Sequence, residues 1–192
     1  VGVPWVVVAA NGGSFRAGRP TCTSGSGIFQ QASVDLSAFG GAEIQLRFSF
    51  DTIDGNDNVH EGWLVDDVQI ASTLTSTTLF NADFSDSAGN ASDEGFTTSG
   101  LWHTTQHRSN DAGHSSADSM WYASEASGTY ETGAQTIGQL TSPNINVLGA
   151  NPTLTFNYFL ETENSGGIGG ANGFDVPDVL VSANGGAFQS VG

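Results

Sequence analysis

Residues 43–50 read EIQLRFSF, and this stretch decides the fold class. Apolar and polar residues alternate strictly, so the four apolar side chains from Ile44 to Phe50 are predicted to face a core while the residues between them face outwards. Residues 153–158, TLTFNY, alternate in the same way. Because alternation with a period of two is typical of a half-buried strand, each stretch predicts one strand of an antiparallel sheet.

Short strands separated by turn residues continue this pattern along the chain. Blocks of β-branched and aromatic residues alternate with clusters of Gly, Asn, Asp and Ser, and helix signals are almost absent. The clear strands are at residues 5–9, 27–33, 43–50, 62–71, 119–123, 138–140, 153–160 and 179–182. The sequence therefore predicts an all-β protein, an antiparallel β-sandwich of jelly-roll type, with Trp63 and Trp121 in its core.

Composition excludes several classes of function. The 192 residues include 4 Lys or Arg and 20 Asp or Glu, which gives a net charge of −16. Nucleic-acid binding needs clustered basic residues, so no nucleic-acid partner is expected. No apolar run is long enough to span a membrane, and the one cysteine, Cys22, excludes an internal disulfide framework. Acidity and the lack of lysine indicate an extracellular or cell-surface protein.

A repeat offset by 173 residues relates the two ends of the sequence. Residues 3–15 read VPWVVVAANGGSF and residues 176–188 read VPDVLVSANGGAF, with nine identities in thirteen positions. Both copies are a β-branched run ending in Asn-Gly-Gly, which predicts a strand followed by a hairpin turn. Residues 3–15 are named the head copy here, and residues 176–188 the tail copy.

The duplicated strand predicts a tandem array or a self-assembling subunit. A surplus strand can take the same position in a neighbouring molecule, where backbone hydrogen bonds give affinity and alternate side chains give register. The predicted assembly residues are Val3, Val6 and Val8 in the head copy and Val176, Val179 and Val181 in the tail copy. The alternative is a fragment of a longer protein with arbitrary ends.

A polar Ser/Thr run at residues 73–78 separates two parts of the chain. Residues 1–72 are predicted to be the C-terminal part of one jelly-roll unit, and residues 79–192 the N-terminal part of the next. Two arrangements are open. The parts close on each other into a single permuted sandwich, or each part completes a neighbouring subunit.

An acidic loop and the strand after it carry the candidate metal ligands. Residues 51–61 read DTIDGNDNVHE, and calcium takes six to eight oxygen ligands from turning loops of this kind. Asp66 and Asp67 are predicted to face opposite sides of the next strand, so one of them points inwards, where an unpaired carboxylate is costly and a cation would compensate it. The predicted calcium ligands are Asp51, Asp54, Asp57, Glu61, Asp66 and Asp67. The alternative is a solvated acidic hairpin with one buried, hydrogen-bonded aspartate.

No catalytic motif is complete in this sequence. His103 and His107 are spaced as in zinc proteases, but Thr104 stands where the catalytic glutamate belongs, and no helix is predicted there. Nucleophile elbows, phosphate-binding loops and dinucleotide fingerprints are absent. We therefore predict that the chain is not an enzyme. Asn90 begins the one N-glycosylation acceptor pattern, Asn-Ala-Ser.

Three blocks of the sequence resemble a known family. They are VDLSAFGG with EGWLVDDV at residues 34–41 and 61–68, LTSPNI with LTFNY at residues 140–145 and 154–158, and DVLVSANGG at residues 178–186. Together they resemble the MAM-like jelly-roll modules of secreted bacterial proteins, including those attached to immune inhibitor A-type metalloproteases. The resemblance implies an extracellular module with structural calcium, an adhesive or docking role and no catalysis.

These observations predict a calcium-stabilised extracellular repeat unit. It would form a head-to-tail assembly with itself, such as a fibre, surface layer or adhesin stalk, through β-strand complementation, because a heterologous contact that does not close gives an open filament. The alternative is a carbohydrate- or protein-docking accessory module of a secreted enzyme, with surface glycans as partners. That alternative would use exposed aromatic side chains to stack on sugar rings.

Overall fold

Two antiparallel β-sheets pack face to face in the computed structural model of this chain. The structure describes residues 29–72, 74–86, 88–89, 91–115, 117–147, 151–162 and 175–191. The predicted all-β antiparallel sandwich is confirmed, whereas the jelly-roll topology stays a prediction. No helix in the described ranges has the length and apolar character needed to cross a membrane.

Within the described residues, each sheet has six strands. Sheet A contains β1 (Gln30–Asp35), β3 (Gly62–Ser72), β4 (Thr77–Ala82), β6 (Trp102–Thr105), β7 (Ser119–Tyr122) and β10 (Pro152–Glu161). Its order is β1-β10-β3-β7-β6, and β4 also pairs with β3. Sheet B contains β2 (Glu43–Asp51), β5 (Thr97–Thr98), β8 (Ile137–Thr141), β9 (Ile145–Asn146), β11 (Val176–Ala183) and β12 (Gln189–Ser190). Its order is β12-β11-β2-β8-β5, and β9 also pairs with β2. A 3-10 helix, Ser37–Phe39, follows β1.

The core lies between the sheets and is rich in aromatic residues. The four apolar side chains of β2 are buried as predicted, and Phe48 contacts Trp63 of β3 and Phe156 of β10, with ring centroids 5.7 and 5.1 Å apart. Trp63 and Trp121 are both buried, which confirms their predicted place. Burial of this apolar surface is the main favourable contribution to folding.

Strands from both sides of the Ser/Thr run pair within the same sheets. β10 pairs with β1 and with β3, and β11 pairs with β2. Residues 74–76 form the turn between β3 and β4, and β4 begins at Thr77. In the described residues, the polar run is therefore the connection of a β-hairpin, and the two parts of the chain share one sandwich.

A β-bulge changes the direction of the two consecutive aspartates of β3. The register shifts between Thr155 and Asn157 of β10, so that Asn157 pairs with Asp66, and Asp67 has a φ of 50°. A bulge inserts one residue and interrupts the alternation of side chains. Both carboxylates consequently bind Ser115, Asp66 through the hydroxyl (3.1 Å) and Asp67 through the amide (2.8 Å). The prediction that they face opposite sides of the strand is wrong.

Gly62 offers a test of the close packing between β3 and β7. Its φ is +91°, and a Cβ atom would lie 2.3 Å from the carbonyl oxygen of Tyr122. Gly41 has nearly the same φ, +87°, with nothing within 4 Å of such an atom. Gly62→Ala is expected to lower the free energy of unfolding by about 3 kcal/mol, from backbone strain plus overpacking. Gly41→Ala should cost about 1 kcal/mol, from strain alone. Urea denaturation measures both, and equal losses would contradict this packing.

Candidate functional site

The first candidate site is the acidic loop that joins β2 to β3. Asp51 Oδ1 accepts a hydrogen bond from Gln135 Nε2 (2.9 Å), and Asp54 Oδ1 accepts one from a loop amide two residues further on (2.7 Å). Asp57 Oδ1 lies 3.9 Å from Nε2 of His60, which is buried. These three carboxylates therefore contact the loop and its neighbours at separate points.

Glu61, at the end of the loop, is bound by basic side chains on the outer face of sheet A. Arg108 donates to both oxygens of its carboxylate, with Nη2 2.7 Å from Oε2, and His107 Nε2 lies 3.0 Å from Oε1. Arg108 also binds Asp111, and its guanidinium carbon lies 3.6 Å from the ring centroid of Phe159. The Arg108 side chain is 6% exposed, so this is a largely buried, bidentate ion pair.

The basic partners determine the protonation of Glu61. Burial alone would raise the pKa of this carboxyl, but the hydrogen bonds from His107 and Arg108 and their positive charges outweigh burial. The pKa of Glu61 therefore lies below its ordinary value. The carboxylate is ionised at neutral pH, and its charge is compensated within the protein.

A second buried acid–base pair joins Asp66 to His114. The Asp66 side chain is 0% exposed and that of His114 1% exposed, and His114 Nδ1 lies 2.8 Å from Asp66 Oδ2. His114 Nε2 lies 3.1 Å from the carbonyl oxygen of Arg108, an arrangement in which Nε2 carries a proton and donates it. The Nδ1 contact then needs one further proton, on the imidazole or on the carboxyl. The pair therefore shares a proton in either form.

Both members of this pair have raised pKa values. Burial raises the pKa of Asp66 to about 6, with a smaller contribution from the charge of Asp67, against the opposing hydrogen bond from His114. Burial would lower the pKa of His114, but the hydrogen bond and charge of Asp66 raise it above its ordinary value. The hydrogen-bond geometry also requires a shared proton. The folded pair therefore keeps this proton to a higher pH than the two side chains would in water.

The six predicted calcium ligands are thus divided between separate environments. Asp51, Asp54 and Asp57 lie in the loop, Glu61 binds Arg108, and the two aspartates of β3 bind residues 114–115. Across the part of the chain that the structure describes, no group of three or more His, Cys, Asp or Glu residues is arranged to hold a metal ion. The buried Asp66 carboxyl instead has His114 as its partner, with which it shares a proton. Calcium binding stays a prediction.

The second candidate site is the β11 position, defined as the place beside β2 that Val176–Ala183 fills. The two strands pair over eight residues, from Val176 opposite Asp51 to Ala183 opposite Ile44. Val179 and Val181, which are 2% and 0% exposed, point into the core, while Val176 is half-buried at the start of the strand. Of the predicted assembly residues in the tail copy, the structure therefore places two in the core.

A tight turn fixes the end of β11 against β2. Asn184 Oδ1 accepts a hydrogen bond from the Glu43 amide (3.2 Å), and the Asn184 amide donates to the Glu43 carbonyl (2.7 Å). Asn184 and Gly185 have φ values of 50° and 71°, the left-handed values that Asn-Gly turns in hairpins adopt. Beyond the turn, the Arg47 guanidinium lies over the Phe188 ring, 3.6 Å from its centroid.

The features that hold the tail copy in place recur in the head copy. Val179, Val181, Asn184, Gly185 and Phe188 align with Val6, Val8, Asn11, Gly12 and Phe15. The four differences lie at other positions of the copy. Val3, Val6 and Val8, together with Cys22 and Asn90, lie outside the described residues. The head copy therefore has the same residues as the tail copy at the positions that hold β11 in place.

Aromatic side chains suited to sugar stacking are buried where the structure describes them. Trp63, Trp102, Trp121 and Tyr122 are at most 3% exposed. The large apolar side chains exposed in the described residues are Val59, Leu74 and Ile137, and these are aliphatic. No observation in this part of the chain favours the carbohydrate-docking alternative.

Sequence reasoning missed the roles of the arginines and histidines. His103 and His107 have the spacing of a zinc pair, yet in the structure His107 stacks on Trp121, with ring centroids 4.2 Å apart, and binds Glu61. Arg108 was not singled out. The sequence offers one signal, which is the scarcity of basic residues. In a chain with 20 acidic residues and four arginines, an arginine far from the chain ends is expected to pair with a carboxylate.

No protein-family model matches the chain, and neither a curated protein nor a solved structure matches it. The fold and the contacts above define an all-β sandwich protein with a buried ion-pair network on one sheet and, on the other, a strand whose sequence recurs at residues 3–15. The resemblance to MAM-like modules stays a prediction that rests on the sequence blocks.

Proposed function

We propose that this chain is an extracellular structural repeat unit that assembles head to tail. The joint is the β11 position of one unit, filled by the head copy of the next. The protein contributes no catalysis in this account, and its partner is another copy of itself. A fibre, surface layer or adhesin stalk is the kind of structure that such a joint builds, because one heterologous contact repeats without closing.

One observation carries the proposal: the described sandwich has a single β11 position, and the sequence has two segments that fit it. The position is filled by the tail copy through eight paired residues and the Asn184 turn. The head copy retains the inward valines, the turn and the aromatic partner of Arg47. Strand addition of this kind gives affinity through the backbone and specificity through the inward side chains.

The position is large enough to hold a partner strand. β11 lies between β2 and β12, so an incoming strand and turn would pair with the full length of β2. It would also bury two valines in the core, in place of the two valines of the tail copy that it displaces. Each fully buried valine contributes about 1.5–3 kcal/mol relative to an exposed one. The copy that does not occupy this position would have unpaired backbone groups along its edge, and exposed strand edges promote association.

Disulfide trapping tests which strand lies beside β2. Gln45 pairs with Ser182 of the tail copy, and Ala9 holds the aligned place in the head copy. In a chain with Cys22→Ser, the pair Ala9→Cys/Gln45→Cys is expected to give a ladder of disulfide-linked multimers after oxidation, since paired strands bring Cβ atoms within bonding range. The matched pair Ser182→Cys/Gln45→Cys is expected to form its disulfide within one chain.

The outcomes of the trapping experiment are separable on a non-reducing gel. Multimers that need both cysteines of the head pair support the joint. A head pair that closes only within its own chain, or that gives no more multimer than Ala9→Cys alone, overturns it. If the protein is instead a docking module, it should remain a single chain and bind a polysaccharide or protein in a saturable way.

A further inference from the structure

We infer that the β11 position binds the head copy of a second chain in preference to the tail copy of its own chain. The preference arises because residues 1–19, which contain the head copy, are basic and carry Trp5, whereas residues 174–192, which contain the tail copy, are acidic and carry Asp178 at the aligned place. The inference rests on the proposed function and deepens it, since it identifies which of the two competing strands the joint selects and the forces that select it.

Charge is the first of these forces. Residues 1–19 contain Arg16 and Arg19 and no acidic residue, whereas residues 174–192 contain Asp175 and Asp178 and no arginine. When residues 1–19 of a second chain take the place of residues 174–192, two positive charges therefore replace two negative ones at the β11 position of a protein whose net charge is −16. Attraction between a basic segment and an acidic body favours the encounter and reduces like-charge repulsion in the joint.

Packing at one position is the second force. Asp178 is half-buried opposite Ser49, and its Oδ1 accepts a hydrogen bond from the Ser190 hydroxyl (2.6 Å). Burial raises the pKa of Asp178, which shows that the ionised form is disfavoured there.

Residues 1–19 have apolar residues where these two polar residues stand. Trp5 aligns with Asp178, and Ala17 aligns with Ser190. The exchange therefore removes a partly desolvated carboxylate and adds a large apolar surface at the same place.

Three aligned positions oppose the exchange. Gly2 aligns with Asp175 and has no side chain to accept the hydrogen bond that the buried Tyr130 hydroxyl donates there. Ala9 aligns with Ser182 and lacks the hydroxyl that donates to the Gly186 carbonyl.

Val191, at the third position, is 5% exposed and packs on the core beyond β12, and its amide donates to the Val179 carbonyl (2.7 Å). Gly18 aligns with it and has no side chain to bury. Filling this place should strengthen the joint, so the geometry provides variants that act in both directions.

The experiment measures the dissociation constant of the multimers by sedimentation at low ionic strength. Trp5→Asp is expected to raise it about tenfold or more, because it removes the apolar surface of Trp5 and places a partly desolvated carboxylate opposite Ser49. Gly18→Val is expected to lower it about tenfold. Ser14→Ala is the control, because it changes a head position whose aligned residue, Ala187, is exposed, and it should leave the constant unchanged.

Substitutions of Arg16 and Arg19 test the contribution of charge. Arg16→Gln/Arg19→Gln is expected to raise the dissociation constant about fivefold at low salt and to make it less dependent on salt, since screening acts on the attraction that these residues supply. Arg16→Lys/Arg19→Lys keeps both charges and should restore wild-type affinity and wild-type salt dependence.

The outcomes distinguish this inference from the proposed function. If wild-type chains multimerise through the head pair of cysteines but neither Trp5→Asp nor the arginine variants weaken them, the preference is overturned and the joint stands. If wild-type chains do not multimerise at all, the proposed function fails, and the preference fails with it. Weakening by Trp5→Asp together with strengthening by Gly18→Val supports the inference.

Discussion

Replacing Arg108 by methionine is expected to lower the free energy of unfolding by about 4 kcal/mol, the cost of breaking a buried pair by removing one partner. Arg108 is 6% exposed and binds both Glu61, which is 11% exposed, and Asp111. Without the guanidinium, two carboxylates on the outer face of sheet A lose the positive charge that compensates them. Methionine preserves most of the contact with Phe159, so the loss reports mainly on charge.

Two variants isolate this effect, with chemical denaturation as the measurement. Arg47→Met makes the same change at a half-buried arginine that stacks on Phe188 and donates to Thr141, and it should cost about 1 kcal/mol. Glu61→Gln/Arg108→Met removes the buried negative charge as well and should recover part of the loss. A similar loss for Arg108→Met and Arg47→Met would contradict the network.

The free energy of unfolding is expected to fall by about 2.5 kcal/mol between pH 4 and pH 8 through Asp66 alone, because its pKa rises from 3.8 to about 6 on folding and each pKa unit corresponds to about 1.4 kcal/mol. A folded state that binds more protons than the unfolded state is most stable below the unfolded pKa. That stability is lost as the pH rises through the folded pKa. The raised pKa of His114 extends the loss above its ordinary value of 6.5.

Asp66→Asn is the variant that tests this pH dependence. An asparagine can donate from Nδ2 to an unprotonated His114 Nδ1, so the contact survives without the shared proton. Thermal and urea unfolding at several pH values should give a flatter profile than wild type. Asp93→Asn, at an exposed loop position, makes the same change in net charge and should keep the wild-type slope. If the two variants have the same slope, the buried pair does not set it.

Glu61 contributes to the pH profile in the opposite direction and over another range. Its pKa is lowered on folding, so its contribution is present above the ordinary value of 4.5 and is lost as the pH falls through the folded pKa. The fall in the free energy of unfolding between pH 4.5 and pH 8 is therefore due to Asp66 and His114. A maximum in stability on the acid side of neutrality follows from the two networks together.

The strands of the sandwich could be predicted where alternation was strict. Residues 43–50 became β2 with all four predicted side chains in the core, and residues 153–160 became β10. The strand at 102–105 was missed because its side chains pack on both faces, Trp102 towards Trp63 and His103 against Trp121. Such a strand shows no alternation, and its sequence gives no period to detect.

The ion-pair network could not be predicted because its contacts join distant residues. Glu61 and Arg108 are 47 positions apart, and Asp66 and His114 are 48 apart. The bulge that turns Asp66 and Asp67 towards residues 114–115 depends on the pairing of β3 with β10. The turn of β11 was easier, because Asn-Gly specifies it locally. The pairing of that strand with β2 required the whole sheet.

If one β11 position and two matching strands join copies of this chain, the mass of the protein in solution must depend on its concentration. Sedimentation velocity of the unmodified chain over a wide range of concentrations is expected to show a series of species at multiples of the single-chain mass. The average mass should rise with concentration and fall on addition of salt. A single species with the mass of one chain at every concentration would contradict the account.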